Sequence, residues 1–184
     1  MADSATNERK PISVLFVCLG NICRSPMAEG VFRHMTNHTR PNAHPLVKEI
    51  DSCGTGAYHV GDAPDPRTMS VLSDHGITPK FYAHKARKFQ NSDFAKFDYI
   101  FAMDFDNKDS LDYARRNVIK KGDLTDEEAG KVMLFGAWGG HKKPEEVDDP
   151  YYGGRNGFEI AYEQVERFSR NFVNYLESGR SEQK

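Results

Sequence analysis

The stretch VLFVCLGNICRSP, residues 14–26, decides how this chain folds. It continues an apolar run that begins at residue 12 and has no polar side chain after Ser13, which is typical of a strand buried on both faces of a parallel sheet. Ser25 is a favoured N-cap residue and Pro26 would occupy the first helical position, so a helix is predicted to begin there. The stretch therefore predicts a strand, a short loop and the start of a helix.

The loop between that strand and that helix has the composition of an anion-binding turn. Gly20 and Asn21 tolerate left-handed backbone conformations, which let successive amide N–H groups point into one concavity. The positive end of the helix dipole faces the same concavity. The residues predicted to bind phosphate are Leu19, Gly20, Asn21, Ile22, Cys23 and Ser25.

Cys18 lies where the strand meets this loop and is the predicted nucleophile. Inward N–H groups, a helix N-terminus and a nearby guanidinium all favour the thiolate form of a cysteine. Arg24 can hold two oxygens of a tetrahedral anion in a bidentate fork, which leaves phosphorus facing the sulfur. The Ser25 hydroxyl is placed to donate a hydrogen bond to that sulfur. The loop therefore predicts nucleophilic attack on a bound phosphate ester.

A second motif near the C-terminus, EVDDPYYGG at residues 146–154, supplies a carboxylate before a proline and two aromatic residues. Proline keeps the residue before it extended rather than helical. Together the two motifs resemble those of the low-molecular-weight protein tyrosine phosphatases, also called low-molecular-weight acid phosphatases, and the resemblance covers nearly the whole chain after the first ten or so residues. It implies that Cys18 is the nucleophile, Arg24 the phosphate-binding arginine and Asp149 the general acid. Asp148 is the adjacent candidate, but the acid of the family stands immediately before the Pro-Tyr pair.

The resemblance also implies an aromatic pocket for the substrate. Tyr58, in a Gly-rich loop that follows the second predicted strand, is at the position of a substrate-stacking aromatic; packing under its own loop is the alternative. Tyr151 and Tyr152 would form walls suited to a flat phosphotyrosine ring. Such a slot would leave the shorter phosphoserine out of reach of the sulfur.

Other residues are implied to support the phosphate loop from behind. A histidine in a polar stretch is more often a surface residue than a functional one. The family, however, has a histidine that hydrogen-bonds the asparagine of the loop, and here these residues are His84 and Asn21. Ser52 and Asp51 are at the positions of further partners of the same loop.

Cys23 has two interpretations. As a free cysteine it is most simply a small buried apolar residue. It also lies five residues after Cys18 within the same loop. We hypothesise, as the family resemblance also implies, that oxidation joins the two sulfurs in a reversible disulfide that protects Cys18 from over-oxidation.

Length and composition are those of one soluble globular domain. The chain has 184 residues, of which 38% are hydrophobic and 28% charged. The polar start lacks the apolar segment of a secretory signal. We expect a flexible N-terminal extension over residues 1–10, a single phosphatase domain over 11–178 and a flexible tail over 179–184.

Charge and cysteine content restrict the partners. A formal net charge of −2 gives no basic footprint for nucleic acid, and no apolar run approaches the ~18–20 residues that span a bilayer. Three cysteines argue against a disulfide scaffold and favour a reducing cytoplasm. We expect phosphotyrosine-containing proteins or peptides as partners, with neither nucleic acid nor membrane. The chain is expected to be a monomer, with weak self-association through tyrosines near the cleft as the alternative.

Hydrophobic periodicity predicts the remaining elements. Further strands are predicted at 46–50, 97–103 and 132–135. Further helices are predicted at 66–76 and 107–116, and an amphipathic helix with a stripe running from Phe158 to Leu176 closes the chain. A charged excursion of the surface is expected at 120–131, and Trp138 is placed near the rim of the cleft. This pattern predicts a three-layer α/β/α sandwich around a four-stranded parallel sheet, the fold that the family resemblance implies.

Three other functions compete with that of a metal-independent phosphatase without cofactors. Arsenate reduction on the same fold needs further cysteines to relay a disulfide, and none follows Cys53. A zinc site built on Cys18 and Cys23 lacks a second closely spaced ligand pair, and Arg24 would repel a cation. A catalytically silent phosphotyrosine-binding module is disfavoured because nucleophile, anion clamp and acid are all present. The predicted reaction is hydrolysis of phosphotyrosine and small aryl phosphates through a phosphocysteine.

Overall fold

The computed structural model describes residues 10–178, apart from the side chain of Arg155. Of the predicted flexible ends, 1–10 and 179–184, all residues except residue 10 lie outside this range. Within it, no helix has the length and apolar character needed to cross a membrane.

A parallel sheet of four strands forms the middle layer. The strands are β1 (Ile12–Cys18), β2 (Val47–Gly54), β3 (Tyr99–Ala102) and β4 (Lys131–Leu134), in the spatial order β2-β1-β3-β4. Every neighbouring pair is parallel, so the carboxyl ends of all four strands meet at one edge. The loop that follows β1 therefore lies between the segments that follow β2 and β3, which is where ligands bind in open α/β sheets.

Helices cover both faces of this sheet. They are α1 (Arg24–Met35), α2 (Pro66–Asp74), α3 (Asp93–Lys96), α4 (Phe105–Lys121) and α5 (Arg155–Ser178). Side chains of β1 alternate between two cores: Phe16 packs with residues of α1, α2 and α5, whereas Leu15 and Val17 pack with residues of α3 and α4. The predicted three-layer sandwich around a four-stranded parallel sheet is confirmed.

Two elements, β2 and α4, extend beyond their predicted ends. β2 continues to Gly54, through residues 51–53 that were predicted as loop, because these residues pair in register with the end of β1. α4 continues past residue 116 and ends at Gly122, whose φ of 78° makes it a left-handed cap. Lys120 and Lys121 thus belong to a helix and not to the surface excursion. The short α3 and the 3-10 helix Pro150–Tyr152 were not predicted.

Trp138 packs against α5, so the prediction that it approaches the cleft rim is wrong. The centroid of its ring lies 5.0 Å from that of Phe172 and 4.8 Å from that of Tyr175. The Asn171 amide donates a hydrogen bond of 2.7 Å to the carbonyl of Trp138. These contacts make the tryptophan a part of the core that anchors α5 to the sheet.

Candidate active site

The phosphate loop, which we define as residues 18–25, leaves the carboxyl end of β1 at Cys18. Asn21 adopts the left-handed conformation, with φ of 58°, and its backbone N–H donates to the Cys18 sulfur at 3.3 Å. Gly20, which also tolerates that conformation, does not adopt it. Glycine fits here for another reason, because a Cβ at position 20 would lie 3.1 Å from the His59 ring.

Ser25 is not the N-cap that its sequence position predicts. α1 begins at Arg24, and its N-cap, Cys23, makes no side-chain capping hydrogen bond. The Ser25 hydroxyl instead lies 3.0 Å from the Cys18 sulfur and accepts a hydrogen bond of 2.9 Å from the Asn21 amide. A thiolate has no proton, so with ionised Cys18 the hydroxyl must be the donor in the contact with sulfur.

Arg24 is buried, with 4% of its surface exposed, and connects three segments of the chain. One terminal nitrogen donates to the Asp104 carboxylate at 2.5 Å and to the carbonyl of Val147 at 3.0 Å. The other lies 3.3 Å from the Asp149 carboxylate. Burial lowers the pKa of Arg24, but the negative charges of Cys18, Asp149 and Asp104 outweigh it and raise the pKa. The guanidinium therefore stays charged.

Asp149 approaches the phosphate loop from the far end of the chain. The residue precedes the 3-10 helix Pro150–Tyr152 and caps it, since one carboxylate oxygen accepts the Tyr151 N–H at 3.1 Å. Its other oxygen faces Arg24, and 37% of its side chain is exposed. Asp149 lines the pocket over Cys18, whereas the neighbouring Asp148 points to solvent and does not.

The pocket over Cys18 has a volume of about 330 Å³. Its lining consists of Cys18, Leu19, Gly20, Ile22, Cys23, Arg24, Tyr58, His59, Asp149, Tyr151 and Tyr152. Tyr58 is 78% exposed and Tyr152 is 91% exposed, so both rings are free to contact a ligand at the mouth. The three tyrosines, the cysteine, the arginine and the aspartate predicted from sequence thus surround one space.

Four of the predicted residues lie behind the pocket rather than in its wall. The Asn21 amide donates to Ser25 at 2.9 Å and to Ser52 at 3.0 Å, and its carbonyl oxygen lies 2.8 Å from the His84 ring. The backbone N–H of Arg87 donates to that same oxygen at 2.9 Å. Every hydrogen-bonding group of the Asn21 side chain is therefore occupied, and the loop is held in a single shape.

The geometry is matched by known proteins. The sequence profile of the family described as low molecular weight phosphotyrosine protein phosphatase matches residues 13–182. The chain belongs to this family. A relative of that name from Schizosaccharomyces pombe is 49% identical over 164 residues, covering 89% of this chain and 96% of the relative. The human relative of that name is 38% identical over 173 residues, covering 94% and 98%.

Solved structures also resemble the phosphatase in fold and in sequence. The protein tyrosine phosphatase of Entamoeba histolytica with Hepes in its active site has a TM-score of 0.74 at 36% identity, covering 91% of this chain and 98% of that one. The Drosophila arginine phosphatase DARP has a TM-score of 0.75 at 33% identity, covering 94% and 100%. The prediction of a protein tyrosine phosphatase of low molecular weight is confirmed.

Glu29 is a member of the phosphatase site that was not predicted from the sequence. It is buried on α1, accepts the Ser52 hydroxyl at 2.7 Å and the Tyr82 hydroxyl at 3.0 Å, and lies 3.1 Å from the His84 ring. Burial raises the pKa of Glu29, but the hydrogen bond and charge of His84 and the charge of Arg33 outweigh it and lower the pKa. Glu29 follows Ser25 by one helical turn and lies on the same inner face of the helix, and this spacing could have identified it from the sequence.

Two further residues of the phosphatase site were not predicted. His59 lines the pocket beside Gly20, and its ring nitrogen lies 3.1 Å from the Asp62 carboxylate. Asp104, at the end of β3, pairs with Arg24 and also caps α4 by accepting the Asn107 N–H at 2.7 Å. A carboxylate at the carboxyl end of a central strand was a usable signal for Asp104, whereas nothing in the sequence distinguishes His59 from a surface histidine.

One group of potential metal ligands occurs among residues 10–178, formed by Glu29, Asp51 and His84. The carboxylates in it already have cationic partners. Arg33 donates to Glu29 at 2.8 Å, and Arg87 donates to Asp51 at 2.9 Å. The group is better described as a set of ion pairs that supports the phosphate loop.

Proposed function

We propose that the phosphatase hydrolyses aryl phosphates, phosphotyrosine foremost, through a phosphocysteine on Cys18. The observation that carries the proposal is the convergence of the Cys18 sulfur, the Arg24 guanidinium and the Asp149 carboxylate on one pocket. Cys18 and Arg24 share the phosphate loop, whereas Asp149 comes from the far end of the chain. A nucleophile, an anion clamp and a proton donor in one space are what phosphate ester hydrolysis requires.

In the first step the Cys18 thiolate attacks phosphorus in line with the aryl oxygen. The sulfur–phosphorus bond forms while the phosphorus–oxygen bond to the phenol breaks, and protonated Asp149 transfers its proton to the departing oxygen. The fork of Arg24 and the backbone N–H groups of residues 19–23 bind the equatorial oxygens. The N–H of Asn21 and the hydroxyl of Ser25, which contact sulfur, stabilise the thiolate before attack.

In the second step water attacks the phosphocysteine. Asp149, now a carboxylate, accepts a proton from that water, the phosphorus–sulfur bond breaks, and phosphate and the Cys18 thiolate are released. The same carboxyl group thus acts first as an acid and then as a base. The exposed fraction of its side chain allows water to reach it.

The pocket walls favour a flat aromatic ester. Tyr58 and Tyr152 project at the mouth, and the rings of Tyr151 and Tyr152 are perpendicular with centroids 5.0 Å apart. Aromatic faces and edges of this kind bind a phenyl ring, and we expect the buried Cys18 sulfur to be out of reach of the shorter phosphoserine. We therefore propose phosphotyrosine-containing proteins or peptides as substrates of a monomeric enzyme, with self-association through the exposed tyrosines as the alternative.

Turnover of p-nitrophenyl phosphate and of a phosphotyrosine peptide, with EDTA present, tests the mechanism. Wild type should turn over both, Cys18→Ser should lose at least about 10³-fold in kcat, and Asp149→Ala should lose about 10²-fold or more on the peptide, whose phenolate needs a proton. Phosphoarginine belongs in the same assay because a similar structure is an arginine phosphatase. A fresh, reduced wild type without turnover would contradict the enzyme and favour a binding module, and a preference for phosphoarginine would contradict the aryl substrate.

We also propose that Cys23 protects Cys18 from oxidation. Peroxide converts the Cys18 thiolate to a sulfenic acid, and the Cys23 sulfur then displaces that oxygen, which leaves as water with the thiol proton as a disulfide forms. Burial, followed by the charge of Asp65, raises the pKa of Cys23 to about 12, so Cys23 is a thiol at neutral pH. After peroxide treatment, dithiothreitol should restore wild type but not Cys23→Ser; equal recovery of both would contradict the disulfide.

Cys18, Cys23 and Cys53 are free thiols, which suits a reducing compartment, and we place the enzyme in the cytoplasm on that basis. Residues 11–178 are proposed to be one folding unit, since both cores share β1. A single cooperative unfolding transition, seen alike by circular dichroism and by fluorescence of Trp138, is the expected result.

A further inference from the structure

The segment that carries Asp149 is thinly packed. Among residues 149–152 only Pro150 is buried, and Tyr152 is almost fully exposed. Two glycines follow, and a Cβ on Gly154 would meet no atom within 4 Å. Val147, two residues before the acid, is packed in the core, but packing is sparse beyond it, so polar contacts contribute to the position of Asp149.

Arg67, on α2, makes such a contact. One terminal nitrogen of its guanidinium donates to the Tyr151 carbonyl at 3.1 Å, two residues after the acid. The guanidinium carbon lies 4.6 Å from the centroid of the Phe158 ring at the start of α5 and 5.4 Å from that of Tyr151. Arg67 thus lies under the acid segment and bonds to its backbone.

The guanidinium is itself fixed in place relative to the phosphate loop. Its Nε donates to Asp65 at 3.0 Å and its other terminal nitrogen donates to the second Asp65 oxygen at 2.8 Å, which is a bidentate pair. Asp65 caps α2, and its backbone N–H donates to the carbonyl of Ile22 at 2.8 Å. A continuous chain of hydrogen bonds therefore runs from the phosphate loop through Asp65 and Arg67 to the acid segment.

This connection differs from the one that Arg24 makes. Arg24 holds Asp149 directly at 3.3 Å, but a bound phosphate competes for the same guanidinium. Protonation of Asp149, which the first step requires, weakens that ion pair further. The bond from Arg67 goes to a backbone carbonyl, so neither the binding of phosphate nor the protonation of Asp149 removes its acceptor. It therefore continues to hold the acid segment when the substrate is present, alongside the bond from Arg24 to the Val147 carbonyl two residues before the acid.

We propose that Arg67 is a positioning residue that holds Asp149 over the departing aryl oxygen through the Asp65–Arg67–Tyr151 connection. The inference rests on the proposed function, because it assigns to Arg67 an effect on proton donation by Asp149. Loss of the connection should affect the step in which the leaving group needs a proton and should spare substrates whose leaving group does not.

Leaving-group dependence tests this role. We would measure kcat/KM for p-nitrophenyl phosphate, whose phenolate leaves readily, and for phenyl phosphate, whose phenol has a pKa of about 10 like that of tyrosine. Arg67→Ala should lose about 10-fold on phenyl phosphate and about 3-fold or less on p-nitrophenyl phosphate. Arg67→Lys keeps the charge but not the fork, so an intermediate loss is expected, and it remains informative should Arg67→Ala fold poorly.

The double variant Arg67→Ala/Asp149→Ala distinguishes an effect on the position of Asp149 from a general disruption of the active site. Without the acid, removal of Arg67 should change kcat/KM by less than about 2-fold, because there is no proton donor left to position. Arg170→Ala, which removes an exposed arginine paired only along α5 with Glu166, is the matched control and should resemble wild type. Equal losses of Arg67→Ala on both substrates, or none on either, would overturn the inference. The proposed function would survive that result as long as Asp149→Ala still shows the selective loss.

Discussion

The two sides of the pocket are built differently. The phosphate loop rests on a buried network in which Asn21, Ser52, His84 and Glu29 bond to one another at 2.7–3.1 Å. The opposite side, residues 149–152, is mostly exposed and is held by contacts of Asp149 and the Tyr151 carbonyl with two arginines. One side is fixed by many bonds in a dry interior, and the other by few bonds next to water.

The difference matches what each side has to do. Phosphate oxygens must meet donors that are already oriented, because electrostatic stabilisation is greatest when nothing reorganises during the reaction. Asp149 must exchange protons with an aryl oxygen and then with water, so it needs access to solvent and some freedom to turn. Substitutions behind the phosphate loop should therefore lower both the stability and the activity. Substitutions in the acid segment should leave the stability nearly unchanged and affect only the activity, if anything.

Arg24→Lys should give the largest effect, since Arg24 touches both sides. Lysine cannot form the bidentate fork to phosphate, nor bond at once to Asp104, the Val147 carbonyl and Asp149. We expect kcat/KM on p-nitrophenyl phosphate to fall by about 10³-fold. Thermal unfolding measured in parallel checks that the variant is folded; a folded variant with nearly normal kcat/KM would contradict the role of the fork.

Glu29→Gln should disrupt only the buried network behind the phosphate loop and leave the acid segment unchanged. Removing one member of a buried pair with His84 should lower the free energy of unfolding in urea by about 3 kcal/mol at pH 7. Because the fold lowers the pKa of Glu29, its stabilisation is complete above the unfolded value of about 4.3 and is lost as the pH falls through the lower folded value. The gap between wild type and Glu29→Gln should thus narrow below about pH 4. A gap independent of pH would mean that Glu29 acts through packing rather than charge.

Arg167→Ala should show that not every arginine near the acid segment positions Asp149. Arg167 forms a bidentate pair with Glu145 at 2.7 and 2.9 Å, four residues before the acid. Both side chains are partly exposed, so solvent screening should limit the loss of stability to about 1 kcal/mol. The leaving-group dependence of kcat/KM should match wild type, because Arg24 still holds the Val147 carbonyl. A selective loss on phenyl phosphate would show that the segment is positioned from both ends.

Tyr152→Ala should have the smallest effect on the fold. Its ring is 91% exposed and packs only on Tyr151 among its ring contacts, so the free energy of unfolding should change by less than about 0.5 kcal/mol. A pocket wall still contributes to binding, and KM for a phosphotyrosine peptide should rise about 3-fold at unchanged kcat. Unchanged KM would remove Tyr152 from the substrate pocket.

The elements with strong hydrophobic patterns were predictable. The strand before Cys18, the strands at 97–103 and 132–135 and the long closing helix all appear within a few residues of their predicted bounds. The end of β2 was not predictable in this way, since Asp51, Ser52 and Gly54 have low strand propensity. Pairing with the end of β1 overrides that preference, and a Cβ on Gly54 would lie 2.7 Å from the Leu19 carbonyl.

The site was predictable where spacing along the chain decides it. Cys18, Arg24 and Asp149 were proposed from two motifs, and the structure brings them to one pocket. Local rules failed where a tertiary partner competed with them. Ser25 is a favoured N-cap residue followed by proline, yet α1 begins one residue before it, at Arg24, and the Ser25 hydroxyl instead makes the predicted contact with the Cys18 sulfur.

By itself, the sequence determined the strand, loop and helix around Cys18 and the carboxylate before Pro150, because buried periodicity and short-range turn chemistry are properties of neighbouring residues. Only the tertiary structure decided the strand order β2-β1-β3-β4, the pairing of Glu29 with His84 and the connection from Asp65 through Arg67 to Tyr151. Those contacts join residues tens of positions apart, and their formation depends on how whole helices pack on the sheet. Patterns among neighbouring residues do not predict how those helices pack.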